Sequence, residues 1–292
     1  MINVDLAKDW NDFLKNDMPA LGLGYDLAQS AWENTLRYLG AKRRVPRQVP
    51  RNVHEARELC IPPTLASDYA ALKKLIEQGG NLTAYLSRDI GKKKADKNDR
   101  LLNAWGIQHL HFRPGGTSDV LFVKFTDSEA FVLQTLPHGS GHPGTWVDTS
   151  LLEILHNNWP EAADGKIAGI AGEPLTSKQR EALRKVNANF ATEMPGGVVY
   201  LGPGGLTASG HCVYDIQETD GIFEGLAKWQ RIVESNETNF REALGVFPPE
   251  ELSIRLMIVA GNWWLYEPVT QRRLLLTQER GANSDKLDQD PG

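Results

Sequence analysis

Residues 107–136 narrow the fold more than any other stretch of this chain. In residues 107–112, Ile107, His109 and His111 fall on one face of an extended strand, and Gln108, Leu110 and Phe112 fall on the other. Residues 120–125 and 130–136 repeat a strand-like pattern around the turn Thr126-Asp127-Ser128-Glu129. Ser150-Leu151-Leu152-Glu153 then reads as a capping box opening a helix that ends near Trp159-Pro160. Three consecutive strands with short connections predict an antiparallel meander, and the apolar helix predicts a cover for it.

The flanks are helix-rich. Leu6, Trp10, Phe13 and Leu14 recur at helical spacing, as do Leu27, Ala31, Thr35, Tyr38 and Leu39, with Pro19, Gly22 and Gly24 between them. Residues 41–63 carry Pro46, Pro50, Pro62 and Pro63 and read as a basic, extended connector with at most a short helix near 55–60. Residues 64–77 form a helix stopped by Gly79-Gly80. Beyond the meander, residues 161–175 read as a linker, 176–189 as a helix, and 198–201 and 211–216 as short strands. Residues 220–244 read as one long helix, and 252–260 with 263–267 as a hairpin extended by 272–276. The expected class is α+β. Its segments are a basic, mainly helical region over 1–98, a His-bearing meander plus helix over 99–162, a C-terminal α+β region over 163–280, and a polar tail over 281–292.

Hydrophobic residues make up 41% of the 292 and charged residues 24%, which excludes a wholly disordered chain. The longest apolar runs, such as 256–260, are far too short to span a bilayer. The opening MINVDLAKDW has no apolar signal core, and Cys60 and Cys212 are distant in sequence, so the expectation is a cytoplasmic protein with free thiols.

Five of the seven histidines lie between positions 109 and 156, where random scatter would place about one. Strand parity permits one sheet face to gather His109, His111, Lys124, Gln134 and His138. Leu110, Phe112, Leu121, Val123, Phe125, Phe131 and Leu133 would then form the opposite face, toward the covering helix. Three readings follow. The histidines act as general acid and base on a phosphodiester, with Lys124 and Arg113 supporting the phosphate. Alternatively, His109, His111 and His138 ligate a divalent metal, with Asp119, Asp127 or Asp148 arriving from loops. In the third reading the histidines are structural hydrogen-bonding groups.

The net charge of −5 divides unevenly. Residues 1–112 hold 17 Lys+Arg and 13 Asp+Glu, or +4, and residues 113–292 hold 15 and 24, or −9. The basic excess forms two clusters, Lys42, Arg43, Arg44, Arg47, Arg51 and Arg57, then Lys92, Lys93, Lys94, Lys97 and Arg100. Such clusters suit phosphate contacts or a solvated basic face. Lys42, Arg43, Arg44, Arg47, Lys92, Lys93, Lys94 and Arg113 are the candidate nucleic-acid contacts. The loop Gly202-Pro203-Gly204-Gly205 matches no phosphate-binding motif, and Ser209 lacks a nucleophile elbow. In residues 220–244, Ile222, Trp229, Asn236 and Ala243 alternate with Leu226, Val233 and Phe240 as a short heptad seam, a candidate surface for a homodimer or protein partner. Adjacent Trp263 and Trp264 must point to opposite sheet faces.

Residues 101–112 (LLNAWGIQHLHF) resemble a segment recurring in bacterial proteins of unknown function. Residues 119–125 and 152–160 (LEILHNNWP) resemble the same proteins, so the resemblance spans roughly residues 60–160. It implies a bacterial or phage-related source and brings no known activity. The meander with basic and histidine side chains resembles in architecture the RelE-type mRNA-interferase toxins, which are much shorter. The leading expectation is a metal-independent ribonuclease of bacterial toxin or anti-phage defence type, using His109, His111, His138 and Lys124 on RNA without a cofactor. A non-enzymatic module binding nucleic acid or protein is the alternative, and a metal-dependent hydrolase the third.

Overall fold

A computed structural model describes residues 2–86, 99–167, 174–194, 196–202, 205–259 and 261–276. Along the chain lie β1 (Ile2–Val4), α1 (Leu6–Asp17), α2 (Ala31–Arg44), β2 (Asn52–Glu55), α3 (Ala66–Glu77), α4 (Arg100–Trp105), β3 (Ile107–His111), β4 (Asp119–Phe125) and β5 (Glu129–Pro137). Then follow α5 (Ser150–Asn158), β6 (Lys166–Ile167), α6 (Ser177–Lys185), β7 (Ala191–Glu193), β8 (Val199–Leu201), α7 (Val213–Ser235), α8 (Glu237–Leu244), β9 (Leu252–Val259), β10 (Asn262–Tyr266) and β11 (Arg273–Leu276). The class is α+β. The chain divides into two discontinuous units, residues 21–23 with 35–218, and residues 1–20 with 24–34 and 219–292. These are not the linear segments expected, because strands distant in sequence share sheets. Among the described residues no helix is long and apolar enough to cross a membrane.

In the unit of residues 35–218 the main sheet has the order β2-β5-β4-β3. The meander forms as expected, but β2 joins it in parallel, pairing Val53 with Ala130 and His54 with Phe131. Its sequence, Asn-Val-His-Glu, has no apolar alternation, so it read as connector. Arg51 fixes its entry, donating from Nε to the Thr126 carbonyl at 2.7 Å and lying over the Phe125 ring.

A β-bulge corrects the face assignment. Phe122 pairs with Gln134, yet Val123 pairs with Val132, so one extra residue, Leu133, sits in β5. The side-chain alternation therefore inverts along β5. Phe131 and Leu133 lie on the same side as Ile107, Val120 and Phe122, in a core closed by Leu101 and Trp105 of α4 and by Leu151, Leu152 and Leu155 of α5. The other side carries Leu110, Phe112, Leu121, Val123 and Val132 against Leu72 and Ile76 of α3. The covering helix thus packs on the histidine-bearing face, not the opposite one, and α3 supplies the second layer.

Several local expectations also change. Thr149, not Ser150, flanks α5, and the expected capping box is absent; the Ser150 N–H donates to Asp148 Oδ1 at 2.9 Å. Thr176 and Gln179 form a reciprocal capping box at α6, which ends at Lys185. The expected linker contributes β6 to the sheet β6-β8-β7, while its residues 168–173 lie outside the described residues. The segment expected as a strand from His211 turns helical at Val213, leaving Cys212 in an isolated bridge with Leu206.

The long helix expected over 220–244 is two helices. Asn236 leaves helical geometry (φ −125, ψ 35) and its Nδ2 donates to the Ile232 carbonyl at 2.8 Å, a local bond that competes with helix continuation. Ile222, Leu226 and Val233 are buried, Trp229 is half-buried, and Asn236 and Ala243 are exposed, so the heptad seam stops at the break.

In the other unit the sheet order is β1-β9-β10-β11, with β1 parallel to β9 and the hairpins antiparallel. Gly261 takes a positive φ of 80 at the tight turn. Buried Leu6, Trp10 and Leu14 of α1 cover one face, where Trp10 stacks on Trp263 at 5.3 Å and Leu252, Ile254 and Leu265 are buried. The polar tail 281–292 lies outside the described residues.

Candidate functional site

His109 and His111 stand across β4 from Phe122 and Val120, and Val120 in turn opposes Leu136 of β5. His138 follows β5 and donates its backbone N–H to the Ser118 carbonyl at 3.0 Å. Strand pleating therefore delivers the three rings to one face and one end of the sheet. The His111 and His138 rings are 5.0 Å apart, at 64°. The turn Pro143–Val147 adds Trp146, edge-on to His109 at 4.9 Å and to His138 at 6.1 Å. Two glycine-bearing loops border this end: Gly115, Gly139 and Gly141 face open space, and Gly115 and Gly139 have positive φ.

The hydrogen bonds set the two rings in opposite states. His111 Nδ1 accepts the Thr117 backbone N–H at 2.9 Å. A nitrogen that accepts holds a lone pair, so His111 is neutral with its proton on Nε2. His138 Nδ1 lies 2.8 Å from the Ser118 carbonyl oxygen, which only accepts. His138 therefore carries its proton on Nδ1, and its Nε2 is the basic atom when the ring is neutral.

His111 is buried at 9%, and His109 is half-buried, with a side chain 15% exposed. Its Nδ1 is buried, makes no hydrogen bond among the described residues, and lies 3.7 Å from Asp99 Oδ2. Asp99 Oδ1 accepts the Leu102 N–H and caps α4. Burial pushes the His109 imidazole below its ordinary pKa; Asp99 opposes this and His138 adds to it.

The remaining candidates do not converge on these rings. Lys124 shares the face but pairs with Ile107 and Phe131, beyond Phe122 rather than between the histidines, and its ammonium is bound by Asp164. Gln134 donates to the Glu58 carbonyl and accepts the Cys60 N–H. Arg113 donates twice to Asp68 Oδ2, at 2.9 and 2.6 Å, which ties it to α3. The first basic cluster is divided: Arg44 and Arg51 are buried and Arg43 is half-buried, while Lys42, Arg47 and Arg57 are exposed. Arg43 holds Asp215 and Asn103, Arg44 is buried with Nε on the Gly40 carbonyl, and Arg47 pairs with Asp127. Lys42 is exposed and lies over the Tyr38 ring at 5.5 Å. Lys92, Lys93 and Lys94 lie outside the described residues.

Among the described residues no group of three His, Cys, Asp or Glu is placed to hold a metal ion. Asp127 and Asp148, offered as third ligands, serve Arg47 and the start of α5. A small cleft in this unit is lined by none of the histidines; it lies among Asn103, Arg184, Asn189, Phe190 and Leu206, with the Arg184 guanidinium 4.8 Å over Trp105.

Sequence reasoning missed Trp146, Thr117 and Ser118. Trp146 lies in a Gly/Pro-rich loop with no periodicity to place it. Thr117 and Ser118 act mainly through backbone groups, which residue type does not reveal. No family model, curated protein or solved structure matches the chain.

Proposed function

We propose that the chain cleaves RNA without a metal, with His138 as general base and His111 as a fixed neutral hydrogen-bond donor. The observation that carries this reading is the opposed tautomers of two rings 5.0 Å apart. His138 Nε2 takes the proton of a ribose 2′-hydroxyl, with the Ser118 carbonyl holding the ring in register. The 2′-oxygen attacks phosphorus and forms a 2′,3′-cyclic phosphate. The bond from phosphorus to the 5′-oxygen breaks, that oxygen takes a proton from water, and the hydroxide left takes the proton from His138 Nε2 and restores the base. His111 Nε2–H donates to a non-bridging phosphate oxygen as charge builds there. Trp146 offers an aromatic wall for a base.

This narrows the expected set of four catalytic residues to two, with His109 as packing for Trp146 and Lys124 as a structural ion pair. It also removes the falling limb of the expected bell-shaped pH profile. An imidazolium at His111 would set its Nδ1–H against the Thr117 N–H, so no acid limb comes from it.

The test is cleavage of single-stranded RNA followed by mass analysis of the ends. Cyclic phosphates are expected, with rates falling on the order of 10²–10⁴-fold in His138→Gln and His111→Gln at unchanged melting temperature. RNA with 2′-deoxy substitution should resist cleavage, and a chelator should not inhibit. Absence of cleavage by the wild-type chain, or full activity in His138→Gln, would refute the assignment.

A further inference from the structure

The sheet β1-β9-β10-β11 has one face covered by α1 and a second face of different chemistry. Across that second face runs the row Met257, Trp264 and Leu275, and beside it the row Arg255, Tyr266 and Arg273. Trp264 and Tyr266 are two residues apart on β10, so their Cα atoms stand about 6.8 Å apart along the strand with both side chains on one face. Trp263 and Leu265, between and before them, face α1, which fixes the parity. Both outer rings are half-buried, Arg273 is exposed, Leu275 is 50% exposed, and the Arg255 side chain is 37% exposed. The Arg273 guanidinium lies 4.7 Å over the Trp264 ring, and the indole N–H has no hydrogen-bond partner among the described residues.

The charge pattern of these strands is one-sided. None of β1, β9, β10 and β11 contains an Asp or Glu, although residues 113–292 carry a net −9. Asp9 of α1 is the carboxylate that meets Arg255. It lies at the sheet edge, where Oδ2 accepts the Leu256 N–H and Oδ1 is 3.7 Å from Arg255.

We propose that this face binds single-stranded nucleic acid, with bases stacked on Trp264 and Tyr266 and the backbone phosphates met by Arg255 and Arg273. Aromatic rings at strand spacing take successive bases without sequence preference, because every base has a π-face. Guanidinium groups across the neighbouring strands meet phosphates and also stack on bases. An acidic peptide would satisfy the two arginines and leave both rings without a role, so nucleic acid is the better fit. The proposal does not depend on the histidines, which belong to the other unit.

The test uses the full chain and short fluorescein-labelled oligo(dT) and oligo(U), read by anisotropy across a salt series. Oligo(dT) has no 2′-hydroxyl, so its binding is independent of the proposed cleavage. Both probes are expected to bind at low salt and to quench tryptophan fluorescence. Binding of only one would still support the proposal and assign the sugar preference. Trp264→Ala should weaken binding about 10-fold or more, and Trp264→Phe should retain most of it. Arg255→Gln with Arg273→Gln should reduce the slope of log K against log[salt] by about 1.4, the value for two single-strand phosphate contacts. If Trp264→Ala fails to fold, the arginine pair and Trp264→Phe decide the matter. The proposal falls if neither oligonucleotide binds, if the arginine pair leaves affinity and slope unchanged, or if a poly-glutamate peptide displaces the oligonucleotides at lower concentration than they bind.

Discussion

Asp215→Asn separates a structural arginine from a phosphate-binding one. Asp215 stands in the first turn of α7 with a side chain 7% exposed. Its two oxygens accept Arg43 Nε at 2.8 Å and Nη2 at 3.1 Å, and Nη2 also donates to Asn103 Oδ1 at 2.7 Å. Removing one member of a buried pair costs about 3–5 kcal/mol, because the other charge is left without compensation. The Arg43 side chain is 27% exposed and the asparagine oxygen still accepts one bond, so about 2–3 kcal/mol is expected here. For a domain of this size each kcal/mol moves Tm by about 2–4 °C, so thermal unfolding should begin about 4–12 °C earlier. The double variant Arg43→Gln with Asp215→Asn should cost less than the sum of the single changes, by about 1 kcal/mol or more, since no orphaned guanidinium remains. Urea titrations of the four proteins give the cycle. A Tm within a degree of wild type for Asp215→Asn, or strictly additive single changes, would refute a structural ion pair. Tighter nucleic-acid binding by Asp215→Asn would return Arg43 to the phosphate surface.

Four further outcomes are expected. His109 has a folded pKa below that of the unfolded chain, so the unfolded state binds more protons as acid is added. The stability held by neutral His109 is therefore complete above about pH 6.5 and declines as pH falls toward the lower folded value; the drop in Tm from pH 7 to pH 5 should be shallower in His109→Gln. Initial rates of RNA cleavage should show no falling limb at high pH, and such a limb would contradict His111 as a neutral donor. Gly165→Ala should lose about 2 kcal/mol or more in urea unfolding, because φ is +80 and a Cβ would overlap the Leu201 carbonyl oxygen. Trp229→Ala should cost about 2 kcal/mol, less than the 3–5 of a fully enclosed tryptophan, because Trp229 is half-buried.

The meander, the helix over residues 66–77 and the C-terminal hairpin were legible because their apolar residues recur at period 2 or 3.6. What stayed hidden has no periodic signature. β2 is a polar edge strand held by parallel pairing with a segment about 77 residues away, and only the folded register exposes that partner. Asn236 was read as a seam residue because spacing alone does not tell a packed amide from one that bonds back to its own helix. The grouping of His109, His111 and His138 followed from parity, but the states of the latter two follow from the backbone of Thr117 and Ser118. Counting charges placed Arg43, Arg44 and Arg113 on a phosphate footprint. Counting does not reveal that Asp215, the Gly40 carbonyl and Asp68 receive them.

The extra residue at Leu133 makes β5 a strand with two phases. Before it, Phe131 points into the core closed by α4 and α5; after it, Gln134 and Leu136 keep step with Val120 and Phe122, and the chain reaches His138 on their side. Removing Leu133 itself would leave Phe131 and Gln134 two residues apart and still in phase, so the ladder would run on without its bulge and lose only the Leu133 side chain from the core. A deletion at Thr135 with the bulge kept would instead shift the end of the strand by one residue and turn His138 away from His111. The strand therefore carries a reading frame with one spare residue, and beyond that residue a one-residue gap would be as disruptive to the histidine pair as removing an imidazole, while every histidine remained in the sequence.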